Sequence, residues 1–219
     1  MHDFAAYRRN MVESQLRTNQ VTDRGVLEAF ATVPREHFVP AALAGCAYID
    51  EAVPLGKNRY LVEPMVTARL IQALEIKAAD KVLLVGASTG YAAAILARLA
   101  AEVVAVEVDS ELAAQATRNL QSLGIANVSV VTGELPAGHA RKAPYDAIFI
   151  DGAVAKISAL FGEQLRDGGR LATVVTQVQG TAGQGTIVLK SHGTLSHRPL
   201  FDAATPLLPG FAPEPAFVF

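Results

Sequence analysis

Apolar and polar positions along this chain fall into blocks whose lengths separate strands from helices. Lys81-Val-Leu-Leu-Val85, Glu102-Val-Val-Ala-Val-Glu107, Asn127 to Thr132 and Tyr145-Asp-Ala-Ile-Phe-Ile-Asp151 are short, nearly continuous apolar runs. Such runs suit strands covered on both faces. Leu171 to Val175 reads as a fifth. Tyr91 to Ala101, the stretch from the capping Asp109 to Leu123-Gly124, and Ile157 to Leu165 read as the helices between them. Upstream, residues 3–20 and 22–32 predict two helices, the second with Thr22 as N-cap and Val26, Leu27 and Phe30 on one face. Pro34 stops it, and Arg35 to Pro40 is a connector. Residues 41–63, with Gly45, Pro54 and Gly56, predict a loop-rich cap. Pro64 opens a further helix with Met65, Leu70, Ile71 and Leu74 on its apolar face. A turn at Asp167-Gly-Gly-Arg170, a loop from Gln177 to Gly185, and closing strands at Thr186 to Lys190 and His197 to Ala203, around a turn at His192-Gly193, complete the chain.

Strand and helix in alternation predict an α/β fold with a doubly wound, mostly parallel, Rossmann-like sheet and an N-terminal helical cap. Residues 1–76 form the helices and cap, and 77–219 the α/β core, in one compact unit.

Chemistry concentrates in the block 81–107. Strand, glycine turn Gly86-Ala-Ser-Thr-Gly90, helix, strand and terminal acid is the layout of a nucleoside-binding βαβ unit. The turn is not G-x-G-x-x-G, and no Gly-Lys-Ser/Thr follows, so a P-loop is excluded. Glu107 nevertheless lies 21 residues after Gly86, near the separation of about 20 expected of a ribose acid. An ordinary βαβ crossover with a charged strand end is the alternative. Ligands of such sheets bind outside the carboxyl ends of the strands. Those ends carry Gly86, Glu107, Gly133-Glu134 and Asp151, which suits an adenosine moiety with Glu107 on the ribose and Glu134-Leu135 near the adenine.

Composition narrows the classes. With 219 residues, 51% hydrophobic and 18% charged, a large core is easily built. A net charge of −2 gives no general attraction to nucleic acid or to an anionic membrane, and neither is expected as a partner. Cys46 is the single cysteine, and the five histidines lack ligand spacing, so neither an intramolecular disulfide nor a metal site is expected. No apolar leader or spanning stretch is seen, so a cytoplasmic protein is the expectation, with a monomer the favoured state.

Several segments together resemble the protein-L-isoaspartate O-methyltransferase family of S-adenosylmethionine-dependent enzymes. They are Met11-Val-Glu-Ser-Gln-Leu-Arg17, Val26-Leu-Glu-Ala29, Val33-Pro-Arg-Glu-His-Phe-Val-Pro40, Ala47-Tyr-Ile-Asp50, Pro54-Leu-Gly56, Lys81 to Tyr91, Pro144-Tyr-Asp-Ala147, Leu165 to Leu171, and the tail from Leu200-Phe201 to Gly210. The resemblance implies S-adenosylmethionine as cofactor, held by Gly86, Ala87, Ser88, Gly90, Glu107, Val108, Glu134, Leu135 and Asp151. It implies isoaspartyl residues of damaged proteins or peptides as methyl acceptors, at Val62 and Glu63. Four positions depart from the family pattern. Tyr60-Leu-Val-Glu-Pro64 puts Val62 where a serine is expected and Glu63 where a glutamine is expected. Leu84 replaces an acid, and Ser88 replaces the middle glycine of the turn. Valine can neither donate nor accept a hydrogen bond. Two alternatives therefore stand beside the isoaspartyl reading: a divergent methyltransferase with another acceptor, or a non-catalytic adenosyl-ligand-binding protein.

Overall fold

The computed structural model describes residues 2–176 and 182–212. Its elements in chain order are α1 (Phe4–Met11), α2 (Arg24–Thr32), β1 (Val53–Gly56), β2 (Arg59–Leu61), α3 (Pro64–Ala73), β3 (Lys81–Val85), α4 (Tyr91–Ala97), β4 (Glu102–Glu107), α5 (Ser110–Ser122), β5 (Val128–Thr132), β6 (Tyr145–Val154), α6 (Ala159–Gln164), β7 (Leu165–Val175), β8 (Gly183–Ser191) and β9 (Thr194–Ala203).

Strands β3 to β9 form one seven-stranded sheet in the order β5-β4-β3-β6-β7-β8-β9, and β1 and β2 pair separately. Every pairing from β5 to β7 is parallel, and the closing pairs β7–β8 and β8–β9 are antiparallel. The expected mostly parallel, doubly wound sheet is the one found. Chain order reverses between β3 and β6, so the crevice at their carboxyl ends is the switch point where ligands of such sheets bind. Leu83, Val85, Val104, Val106, Ile148 and Ile150 face one apolar layer; Val82, Leu84, Val103, Ala105, Ala147 and Phe149 face the other. That second layer is continuous with Leu16, Phe30 and Phe38 of the N-terminal segment, so the helical cap and the sheet share a core.

Three local expectations change. Residues 3–20 are not one regular helix: α1 runs into a wide π turn at Val12–Leu16 and a 3-10 turn at Arg17–Asn19. Ser14 and Thr18 donate their hydroxyls to the carbonyls four residues back, contacts that loosen a helix ladder. The cap of α2 is Asp23 rather than Thr22, its carboxylate accepting from Val26 N at 2.8 Å. Residues 41–63, expected as loop, contain the antiparallel hairpin β1–β2, with Lys57 and Asn58 at φ 53° and 55° in its turn. A turn with both central residues at positive φ matches the twist of a hairpin. The strands are only four and three residues long and one carries Pro54, which is why pattern alone misses them. Most of the loop expected at 177–185 lies outside the described residues. No helix among the described residues is long and apolar enough to cross a membrane.

Candidate active site

The glycine turn between β3 and α4 is set by backbone first. Gly86 and Gly90 stand at φ 88° and 100°, where only glycine is unstrained, and a Cβ on Gly90 would press on Ala116 at 3.2 Å. Ser88, between them, also has a positive φ of 51°. This is the position where the family resemblance expects glycine, and here a Cβ is carried in the left-handed region. Its hydroxyl is buried with no partner. The turn is fastened on two sides: Thr89 Oγ1 donates to the Phe38 carbonyl at 2.6 Å, and Asn119 Nδ2 donates to the Thr89 carbonyl at 2.9 Å.

Glu107 ends β4 beside this turn, where the spacing placed it. Its surroundings are not those of a free ribose acceptor. The side chain is 0% exposed, and four groups donate to it. Arg59 Nη1 and the amides of Val108 and Asp109 reach Oε1 at 2.8, 2.9 and 3.2 Å, and the Ser88 amide reaches Oε2 at 2.6 Å. Arg59 itself is 3% exposed and comes from β2. Sequence reasoning did not single it out; an arginine in a segment taken for loop carries no signal of the acid 48 residues away.

Across the switch point, β6 slips register between Phe149 and Ala153, and Asp151 sits in that irregularity. It is buried and one of its oxygens, Oδ1, has no partner. Burial pushes its carboxyl up to about 7, against the opposing pull of Arg59 and Arg35 and with a further push from Glu63. Glu63 precedes Pro64 at the start of α3, and its Oε2 is likewise buried and unpartnered. Burial raises its pKa too. Val62 is buried in the apolar core, and its carbonyl accepts from Arg35 Nη2 at 2.7 Å. Arg35, fully buried, also donates to the Ala47 carbonyl and lies over the Tyr91 ring, 4.8 Å from its centroid.

The structure therefore gathers Gly86, Ser88, Glu107, Asp151 and Glu63 around one crevice, with Arg59 and Arg35 among them. Leu135 is buried in the layer beneath, while Glu134 is exposed at the start of a 3-10 turn. The C-terminal segment closes the crevice from outside. Leu208 N donates to the Ala153 carbonyl at 2.9 Å, and its side chain lies where a Cβ on Gly152 would be, 2.5 Å away, and against Gly86 at 3.1 Å. A cleft of about 810 Å³ lies elsewhere, between the connector, the hairpin tip and α5, and neither Val62, Glu63 nor Glu107 lines it. No cluster of metal-ligating side chains occurs among the described residues.

The kinds of group present suit an adenosyl ligand: a glycine turn, an acid at the next strand end, and carboxylates on the far side for a cationic group. As folded, however, the cradle does not admit a ribose. The hydrogen bonds of Glu107 are already filled, and a Cβ built on Gly86 would meet Arg59 Nη2 at 3.2 Å as well as Leu208.

Comparison with known proteins gives this crevice its context. The profile of the family described as protein-L-isoaspartate(D-aspartate) O-methyltransferase matches residues 7–198. The chain is 40% identical to the protein-L-isoaspartate O-methyltransferase of Koribacter versatilis over 91% of its own length and 89% of the relative's. It is 39% identical to that of Roseiflexus sp. strain RS-1, over 96% and 95% of the two chains. A solved protein-L-isoaspartate O-methyltransferase superposes with a TM-score of 0.80 at 25% identity, covering 94% of this chain and 67% of the other. With the fold, the switch-point crevice and this likeness over nearly the whole length, the chain belongs to the protein-L-isoaspartate(D-aspartate) O-methyltransferase family of S-adenosylmethionine-dependent enzymes.

Proposed function

We propose that this chain is a cytoplasmic carboxyl methyltransferase acting on isoaspartyl residues of damaged proteins or peptides. The observation that carries the reading is the family match over residues 7–198, with relatives that align from end to end. S-adenosylmethionine supplies the methyl group in this family. A carboxylate acceptor is already ionised at neutral pH, so the chain's contribution is to position it and to exclude water. Val62 and Glu63 are the proposed acceptor side. Arg35 fixes the peptide at Val62 through its carbonyl. Burial raises the Glu63 carboxyl, which weakens the repulsion that an ionised acid would exert on an acceptor carboxylate. Gly86, Ala87, Ser88, Gly90, Glu107, Val108, Glu134, Leu135 and Asp151 are the proposed cofactor side. We propose a monomer without nucleic-acid or membrane partners, on the near-neutral charge.

One observation favours a second reading, a different acceptor: Val62 offers no hydroxyl, and its side chain lies in the core. The test is methyl incorporation into an isoaspartyl peptide and its normal aspartyl twin. Labelling of the isoaspartyl peptide alone is the expected result, with a gain of roughly tenfold in Val62→Ser, Glu63→Gln, about one hydrogen bond's worth. Labelling of neither peptide, in protein and variant alike, would contradict the isoaspartyl reading.

A further inference from the structure

The acid expected to hold a ribose is held by the chain's own arginine. Arg59 Nη1 lies 2.8 Å from Glu107 Oε1, at 3% and 0% exposure, and its Nη2 lies 3.2 Å from where a Cβ of Gly86 would stand. The guanidinium thus supplies what a ribose diol would, hydrogens directed at this carboxylate, in the space above the glycine turn. It is also, beside Arg35, a cation in a crevice that holds Asp151 and Glu63, and it lies within electrostatic reach of Asp151.

Resting on the adenosyl reading of the crevice, we propose that Arg59 is the resident occupant of the ribose subsite, and that an adenosyl ligand binds only by displacing it. The element carrying Arg59 is suited to moving. β2 is three residues long and pairs only with β1, in a two-stranded sheet apart from the main one. Its tip is tied down by exposed Lys57, whose ammonium reaches Asp109 at 2.9 Å and also Glu111. Without Arg59, Glu107 keeps the amides of Ser88, Val108 and Asp109 and stays partly satisfied. The released guanidinium regains water. The ligand's affinity is then reduced by whatever holds the closed form, because a competent state that is seldom populated lowers apparent affinity in proportion.

The test is calorimetric titration of the full chain with S-adenosylhomocysteine, with thermal unfolding confirming that each variant is folded. Arg59→Gln should bind at least tenfold more tightly than the parent, and its unfolding temperature should rise more on adding ligand. Arg59→Lys, which keeps a cation but loses the planar fork, should fall between them; it carries the test should Arg59→Gln fail to fold. The gain should vanish in Arg59→Gln, Glu107→Gln. Equal or weaker affinity in Arg59→Gln would overturn the proposal while leaving the cofactor reading intact, since Arg59 would then be neutral or supportive toward the ligand. No binding by parent or by folded variants would overturn the cofactor reading and this proposal with it.

Discussion

Glu107, at the end of β4, and Asp151, in the register slip of β6, lie on either side of β3 in one sheet, both buried, and they are differently supplied with donors. Glu107 receives four hydrogen bonds, one from a guanidinium. Asp151 keeps an oxygen without a partner, and burial raises its carboxyl to about 7. Burial is common to both, so burial does not decide the difference; the supply of donors does. Glu107 accepts from a cation and three amides, whereas a buried carboxyl given too few donors, as Asp151 is, drifts toward the neutral form. Glu107 is thus internally satisfied, whereas Asp151 and Glu63 each keep a buried oxygen with no hydrogen-bond partner among the described residues.

The largest break in this contrast should come from Glu107→Ala. It leaves a buried guanidinium and three amides unanswered, and removing one partner of a buried pair costs about 3–5 kcal/mol. Denaturant unfolding checks it; a loss under about 1 kcal/mol would mean that the buried Arg59–Glu107 pair does little to hold the fold. Asp151→Asn should act with the opposite sign and depend on pH. The folded-state value, about 7, lies above the ordinary 3.8, so between these values the folded protein holds the proton and the unfolded chain does not. Stability from this group is complete below pH ~4 and is lost as pH rises through about 7. The variant should match the parent at low pH and exceed it by a few kcal/mol near pH 8, one pKa unit being about 1.4 kcal/mol. Unfolding measured at pH 5 and pH 8 reads this directly; parallel pH profiles for the two proteins would refute it.

Ser88→Gly sharpens the comparison on the cofactor side at smaller scale. It removes a Cβ from the left-handed region and an unpartnered hydroxyl, and should stabilise by about 1 kcal/mol after glycine's own entropy is counted. The smallest effect is expected of Lys57→Ala, whose ion pairs are exposed and screened: unfolding should be unchanged at physiological salt.

The fold was legible because the apolar runs at 82–85, 103–106 and 147–150 admit no assignment but buried strands, and strand–helix alternation then dictates a parallel sheet. Glu107, Asp151 and the glycine turn were legible as strand-end chemistry for the same reason. What the sequence concealed is the company these residues keep. Arg59 meets Glu107 only because the short stretch 53–61 forms a hairpin around Lys57-Asn58, and Leu208 meets Gly86 and Gly152 only because the tail folds back along β6. Both contacts are long-range and are made by short irregular elements without periodicity. The Ser14 and Thr18 hydroxyl contacts at the π turn that follows α1 are invisible to a helical-face pattern as well.

A crystal structure of the chain with S-adenosylhomocysteine bound would test the central claim most directly, through the distance from Arg59 Nη1 to Glu107 Oε1, 2.8 Å in the ligand-free protein. The account predicts that this pair is parted, with the ribose hydroxyls on Glu107 and β1–β2 displaced from the glycine turn. A bound ligand with Arg59 still on Glu107 would contradict it.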